Sequence, residues 1–162
     1  MEVLKGKVGV VRAARESDIE PIAANMRECD VVELRDGVMQ TPLEALQSSF
    51  ALSVKSFTIT IGDDPVAMAG VGPLGSDPAF GVIWFLATDR MDKECRRDLR
   101  VLSPFFVDVL SAGYEVVGNL VDCRNTMSIK WLRKMGFVRI KDVVNTENGL
   151  PFALMVRRIV NV

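Results

Sequence analysis

The sequence predicts a mixed α/β (α+β) domain, and three observations predict it. Strand-like runs with a period of two alternate with segments whose apolar residues recur at i, i+3, i+4 and i+7. A hairpin-rich first half gives way to a strand–helix–strand–helix second half. The 162 residues are about the usual size of one domain, and 49% are hydrophobic, enough to bury a core. No repeat, linker or low-complexity tract divides residues 1–162, so a single domain is expected.

Val8 to Val11 is a short apolar run and reads as the first strand. Ser17-Asp18-Ile19-Glu20 reads as a capping box, with Pro21 in the first helical turn and Ile19, Ile22, Ala23 and Met26 along one face. Thr41, Pro42 and Glu44 mark a second helix start, with Leu43, Leu46 and Phe50 on one side. Between these helices, Glu28 to Met39 reads as a loop or a short extended piece. Phe57 to Ile61 alternates, Gly62 to Pro65 turns, and Val66 to Val71 returns as the second arm of a hairpin. Gly72 to Pro78 is a Gly/Pro-rich loop.

Phe80 to Ala87 is a nearly continuous apolar strand, as expected for burial on both faces. Leu99, Leu102, Phe106, Val109 and Leu110 fit one helical face. Pro104 either kinks a helix begun near Arg96 or starts one capped by Ser103. Glu115 to Val121 is a strand. Asn125 or Thr126 caps the next helix, Arg133 and Lys134 suit its last turn, and Gly136 ends it. Phe137–Val144 and Phe152–Val160 close the chain as strands around an Asn145–Pro151 turn.

Composition excludes several functions. Twenty Lys and Arg against twenty-one Asp and Glu leave a net charge of -1, which argues against nucleic acid or an anionic membrane as partner. The chain has no histidine, which removes His-based triads and most zinc sites, and no metal is expected. Cys29, Cys95 and Cys123 give no disulfide framework or CxxC pair, so a reducing compartment is expected. No apolar run reaches the ~18 residues of a membrane span, and Met1 to Lys7 lacks a signal-peptide core. A cytoplasmic location is the expectation, the host cytoplasm if a phage encodes the chain.

The element order, together with Asn125-x-x-Ser128-x-x-Trp131-Leu132-x-x-x-Gly136-Phe137, resembles the GNAT family of acyl-CoA-dependent N-acyltransferases. Trp84 to Asp89, a basic helix, Asn119-x-Val121 and Asn125 to Leu132 are also similar to GNAT-like proteins of tailed bacteriophages. Some of those are virion components. The resemblance implies a twisted mixed sheet of about six to seven strands and about four helices. Its two central parallel strands, Phe80–Ala87 and Glu115–Val121, would splay to admit the pantetheine arm of acetyl-CoA or CoA.

By the same resemblance, backbone groups of Leu86, Ala87 and Thr88 pair with pantetheine. Arg96, Arg97 and Arg100 stand where a Gly-rich phosphate loop would be, and Asn125 and Ser128 face the cofactor. The acceptor implied is a small-molecule or protein amine. A homodimer, or a place in a phage particle, is compatible with it.

Two departures stand out. No glycine occurs between Gly81 and Gly113, so guanidinium groups would have to replace the amide cradle. The same arginines equally suit a solvated helix face paired with Asp89, Asp92, Glu94 and Asp98. The family's tyrosine acid would fall at Leu132, seven residues after Asn125, and Tyr114 lies elsewhere in the chain. Glu33 is the candidate general base, with Glu28 and Asp30 as rivals and a plain surface carboxylate as the alternative. Asn125 suits a helix cap as well as a cofactor contact. Cys123 lacks a histidine to activate it. Three functions follow: acyl transfer to an amine, a GNAT-fold protein that binds without turnover, and a nucleotide-binding regulator. The third lacks a Gly-rich loop after a strand.

Overall fold

The computed structural model describes residues 2–159. Eight strands form one sheet in the order β1-β2-β3-β4-β5-β6-β8-β7. They are β1 (Glu2–Lys5), β2 (Val10–Ala13), β3 (Lys55–Ile61), β4 (Asp64–Leu74), β5 (Asp77–Ala87), β6 (Val116–Asp122), β7 (Val138–Val144) and β8 (Pro151–Arg158). Six α-helices cover it among the described residues: α1 (Ile19–Ala24), α2 (Glu28–Val38), α3 (Pro42–Leu52), α4 (Asp89–Glu94), α5 (Leu99–Ser111) and α6 (Thr126–Lys134). The expected mixed α/β architecture holds, with more strands and helices than the sequence suggested.

Every neighbouring pair is antiparallel except β5–β6. Parallel neighbours need a crossover, and here α4 and α5 supply it. The larger apolar cluster joins α5 and α6 to the sheet through Leu102, Phe106, Leu110, Ile129 and Leu132. A smaller one packs α1 and α3 through Ile19, Ile22, Ala45 and Leu46.

Several expectations are corrected. Glu28 to Met39 is a helix, not a loop or extended piece. Its Val31, Leu34 and Val38 are helically spaced, but Asp30 is the one fully buried residue of the helix. A helix whose inward positions are carboxylates shows no apolar stripe in the sequence. Ser17 does not cap α1: it lies inside a 3-10 turn, Glu16–Asp18, and Asp18 takes the Arg15 amide at 2.9 Å. The Thr41 cap, in contrast, forms with Glu44 as expected.

The strand expected at Val8–Val11 runs Val10–Ala13 and is the second, after β1, because Lys7, Val8 and Gly9 give their amides to the Asp98 carboxylate at 2.8–3.0 Å. The Gly72–Pro78 segment is mostly strand, with β4 and β5 meeting at a tight turn where Gly75 is left-handed at φ 55. Of the two expectations for Pro104, the helix that runs through it holds, beginning at Leu99 rather than near Arg96, and no helix starts at Pro104. The last strand ends at Arg158; its expected end at Val160 lies outside the described residues.

Candidate functional site: the gap between β5 and β6

The parallel ladder joins Phe80 to Val116, Gly81 to Val117 and Val82 to Gly118, and then stops. Beyond it the two strands part. Gly118, opposite Val82, is the last rung of β6 against β5, and on its other side a Cβ would lie 2.5 Å from the Met155 carbonyl oxygen of β8. Asn119 closes the apex: its Nδ2 donates to the Ile83 carbonyl at 2.9 Å, and its own Oδ1 accepts from Leu120 N. A side chain thus replaces the missing ladder bond. The central strands splay as the resemblance implied.

Alternation along a strand sends the backbone groups of every second residue to the same edge. The Ile83 carbonyl faces β6, so Phe85 and Ala87 face it too. Leu86 and Thr88 turn the other way; Thr88 N donates to the Val66 carbonyl of β4 at 2.8 Å. Of the three backbones expected at the gap, only Ala87 reaches it.

Both backbone groups of Ala87 are taken. Its amide donates to Asp30 Oδ2 at 3.0 Å, and its carbonyl accepts from Arg27 N at 2.9 Å. Asp30 is 5% exposed, and burial pushes its carboxyl up against the pull of Arg27 and the Ala87 amide. Arg27 Nε meets Asp30 at 2.7 Å and Nη1 meets Asp92 of α4 at 2.9 Å. Its guanidinium also lies 5.6 Å from the centre of the Phe85 ring, which in turn packs on Trp131. Burial lowers the Arg27 pKa, but Asp30 and Asp92 more than offset it. One arginine, ion-paired on two sides, therefore stands against the β5 end of the gap.

Glu33 stands on the opposite side of the gap. Its Oε2 accepts from Asn125 Nδ2 at 3.1 Å, and burial pushes its carboxyl up, only partly offset by that bond. Asn125 Oδ1 meanwhile caps α6 by accepting from Ser128 N at 3.2 Å. Cap and contact are one residue, and the structure brings Glu33, Asn125 and Ser128 together.

The arginine cluster is elsewhere. Arg96 and Arg97 lie in the α4–α5 turn and Arg100 in the first turn of α5, all exposed. Asp98 ties that turn to the β1–β2 turn, and β2 lies three strands from β5. The six-residue α4 follows β5 directly and carries Asp89 and Asp92 in its first turn, where the helix dipole would favour an anion. The Thr88 hydroxyl is bonded to the Val66 carbonyl.

Leu132 is buried in the core. Tyr114, also buried, lies beside the start of β5, where it borders a shallow pocket of about 340 Å³ with Lys55 and Pro78. That is the end of the sheet away from the gap, so Tyr114 does not stand in for the missing acid. Cys123 is half-buried, 3.2 Å from Arg139 Nη2, and burial pushes its thiol up. Cys95 is buried, its thiol pushed up to about 11 by burial and by Asp98. Neither is a poised nucleophile.

No family model matches the sequence, and no curated protein matches it. Solved structures do match. A GCN5-related N-acetyltransferase from Kribbella flavida has a TM-score of 0.71 at 18% identity, covering 94% of this chain and 99% of its own. The fold is that of the GNAT acetyltransferases. A GNAT-family acetyltransferase from Bacillus anthracis gives a TM-score of 0.66 at 11% identity, over 96% of this chain and 97% of its own. The ribosomal-protein-S18-alanine N-acetyltransferase of Escherichia coli gives 0.65 at 16%, over 95% and 96%. Identities this low carry the GNAT fold and no more.

Sequence reasoning gave no role to Arg27 or to the Asp36–Arg124–Asp122 chain, in which both contacts of Arg124 measure 2.6 Å, and it named Asn119 only as part of the resemblance. Their signal was present only as a spacing: Arg27, Asp30, Glu33 and Asp36 recur every three residues. No local rule marks such a stripe as facing inward. The described residues hold no cluster of side chains suited to a metal ion. The Ala87 backbone groups that a pantetheine arm would use are held by Asp30 and Arg27, and carboxylates stand in the first turn of α4.

Proposed function

We propose that this chain uses the GNAT scaffold for binding, as a structural or interaction component, rather than for acetyl-CoA turnover. The observation that carries this is the Ala87 backbone, whose amide and carbonyl are both bonded to α2. In a strand edge that served a cofactor, those groups would be left for it. Two further features support the same reading: the carboxylates in the first turn of α4, and a core leucine where the family keeps its tyrosine. The similarity to phage-encoded GNAT-like proteins makes a phage particle the assembly in which we place that role.

A second reading is favoured by one observation. Glu33, half-buried and pushed up by burial, sits beside Asn125 at the opening of the gap. A carboxyl so placed suits removal of a proton from an amine. On this reading the chain acylates a small-molecule or protein amine with acetyl-CoA as cosubstrate. Arg96, Arg97 and Arg100 would supply phosphate contacts.

Titration calorimetry separates the two. The binding reading expects no heat from acetyl-CoA or CoA at millimolar concentration. Saturable micromolar binding with acetylation of any amine in a broad panel would overturn it. Loss of that binding on Arg96→Ala with Arg97→Ala would assign the phosphate site.

A further inference from the structure

Helix α2 is held in an unusual way. Arg27, Asp30, Glu33 and Asp36 recur every third residue just before and along it, a row that slants round the helix because 3.6 residues make a turn. Each ties the helix to a different side of the β5–β6 gap. Arg27 reaches Asp92 on α4, and Asp30 holds the Ala87 amide on β5. Glu33 holds Asn125 at the head of α6, and Asp36 pairs with Arg124 just past β6. The Asp36 carbonyl also accepts from Asn145 and Asn148 in the β7–β8 turn, at 2.9 and 2.8 Å. The helix therefore bridges both arms of the splay.

Apolar support is thin by comparison. Asp30 is the one buried residue of α2. Val31 and Leu34 pack only partly against the smaller cluster, and Val38 and Met39 are 58% and 68% exposed. Its neighbours are anchored differently: α1 buries Ile19 and Ile22, and α3 buries Ala45 and Leu46. Met39, which ends α2, is left-handed at φ 56, a conformation that costs a side-chain-bearing residue energy. Releasing α2 would break no bond between neighbouring strands of the sheet.

We infer that α2 is a strap, fastened by charge, that lifts from the β5–β6 gap as a unit and uncovers the strand edge at Phe85 and Ala87. Elements with few buried apolar contacts open locally at less cost than the core. The exposed ties, Asp36–Arg124 and Arg27–Asp92, are the ones that salt screens; the buried Arg27–Asp30 pair is screened much less, and apolar packing is not weakened. Opening should therefore depend on ionic strength, and it should be confined to α2 and the groups it covers. This goes beyond the binding role proposed above and does not depend on it.

Amide hydrogen exchange on the intact wild-type protein tests the strap, at low salt and at 1 M NaCl. The Ala87 amide and the amides of α2 should exchange at least about tenfold faster at high salt, while Met68 and Ala69 in β4 hold their rates. Arg27→Gln should produce the same pattern at low salt. The strap is overturned if α2 exchanges as slowly as β4 at both salt concentrations, or if all amides accelerate together. Should the variant fail to fold, the wild-type salt comparison decides alone. A rigid α2 with no acetyl-CoA binding would sink the strap and leave the binding role standing. Salt-sensitive α2 with tight acetyl-CoA binding would do the reverse.

Discussion

Asp18 is where the fold is most exposed to a single substitution. Its carboxylate, 3% exposed, accepts from Arg12 at 2.7 and 2.8 Å, from the Thr58 hydroxyl at 2.7 Å and from Arg15 N at 2.9 Å. Asp18→Ala strands a largely buried guanidinium and a fully buried hydroxyl together. Breaking a buried pair by removing one partner costs about 3–5 kcal/mol. With a urea slope of about 2 kcal/mol/M, the unfolding midpoint should fall by roughly 2 M. Asp18→Asn keeps an acceptor for Thr58 and Arg15 but loses the charge and turns its NH2 toward Arg12 Nη2, so its fall should be smaller than that of Ala but still marked.

The pH dependence has a definite sign. Burial pushes the Asp18 carboxyl up, but Arg12, Thr58 and Arg15 more than offset it, and it titrates below its ordinary value of 3.8. A lowered carboxyl stabilises the fold above the unfolded value, and the benefit fades as pH falls through the folded one. The wild-type advantage over Asp18→Ala should be complete above 3.8 and shrink below it. A midpoint shift under about 0.5 M, or equal shifts for Ala and Asn, would refute the reasoning.

Three other outcomes follow from the site. Asn125→Ala removes the α6 cap and should lower stability by about 1 kcal/mol, read as a fall of roughly 3 °C in thermal midpoint. Glu33 shows the opposite linkage from Asp18: burial raises its carboxyl, so the folded state binds the extra proton and stability drops as pH rises from the ordinary value of 4.5. Glu33→Gln should therefore be more stable than wild type at neutral pH by urea titration, and the gain should vanish below that value. Arg96→Ala with Arg97→Ala removes two exposed side chains that hold no ion pair among the described residues, so the urea midpoint should move by no more than about 0.5 kcal/mol equivalent.

The parts of the fold legible in the sequence were those that follow local rules. The Thr41–Pro42–Glu44 start, the Phe57–Val71 hairpin and the Asn125–Gly136 helix all carry cap or period signals, and all form. What was hidden depends on tertiary contacts. Helix α2 escapes because its inward positions are Arg27, Asp30 and Glu33, whose partners Asp92, Ala87 and Asn125 are more than fifty residues away. Asp98 looked like one charge among many, yet it is buried under three amides of a turn near the N-terminus. Asn125 and Ser128 could be placed because a cap acts within four residues. Leu86 and Thr88 were misdirected because only the observed ladder tells which backbone edge meets β6.

The central claim is that the backbone edge at the β5–β6 gap is already satisfied by this chain's own α2. The most direct measurement is an amide NMR titration of wild type with acetyl-CoA to millimolar concentration, following the backbone N–H of Phe85 and Ala87 and the side-chain amide of Asn125. The expected result is no movement in any of the three. A saturating shift of the Ala87 amide at micromolar acetyl-CoA would contradict the claim, because that amide would have exchanged Asp30 for the cofactor.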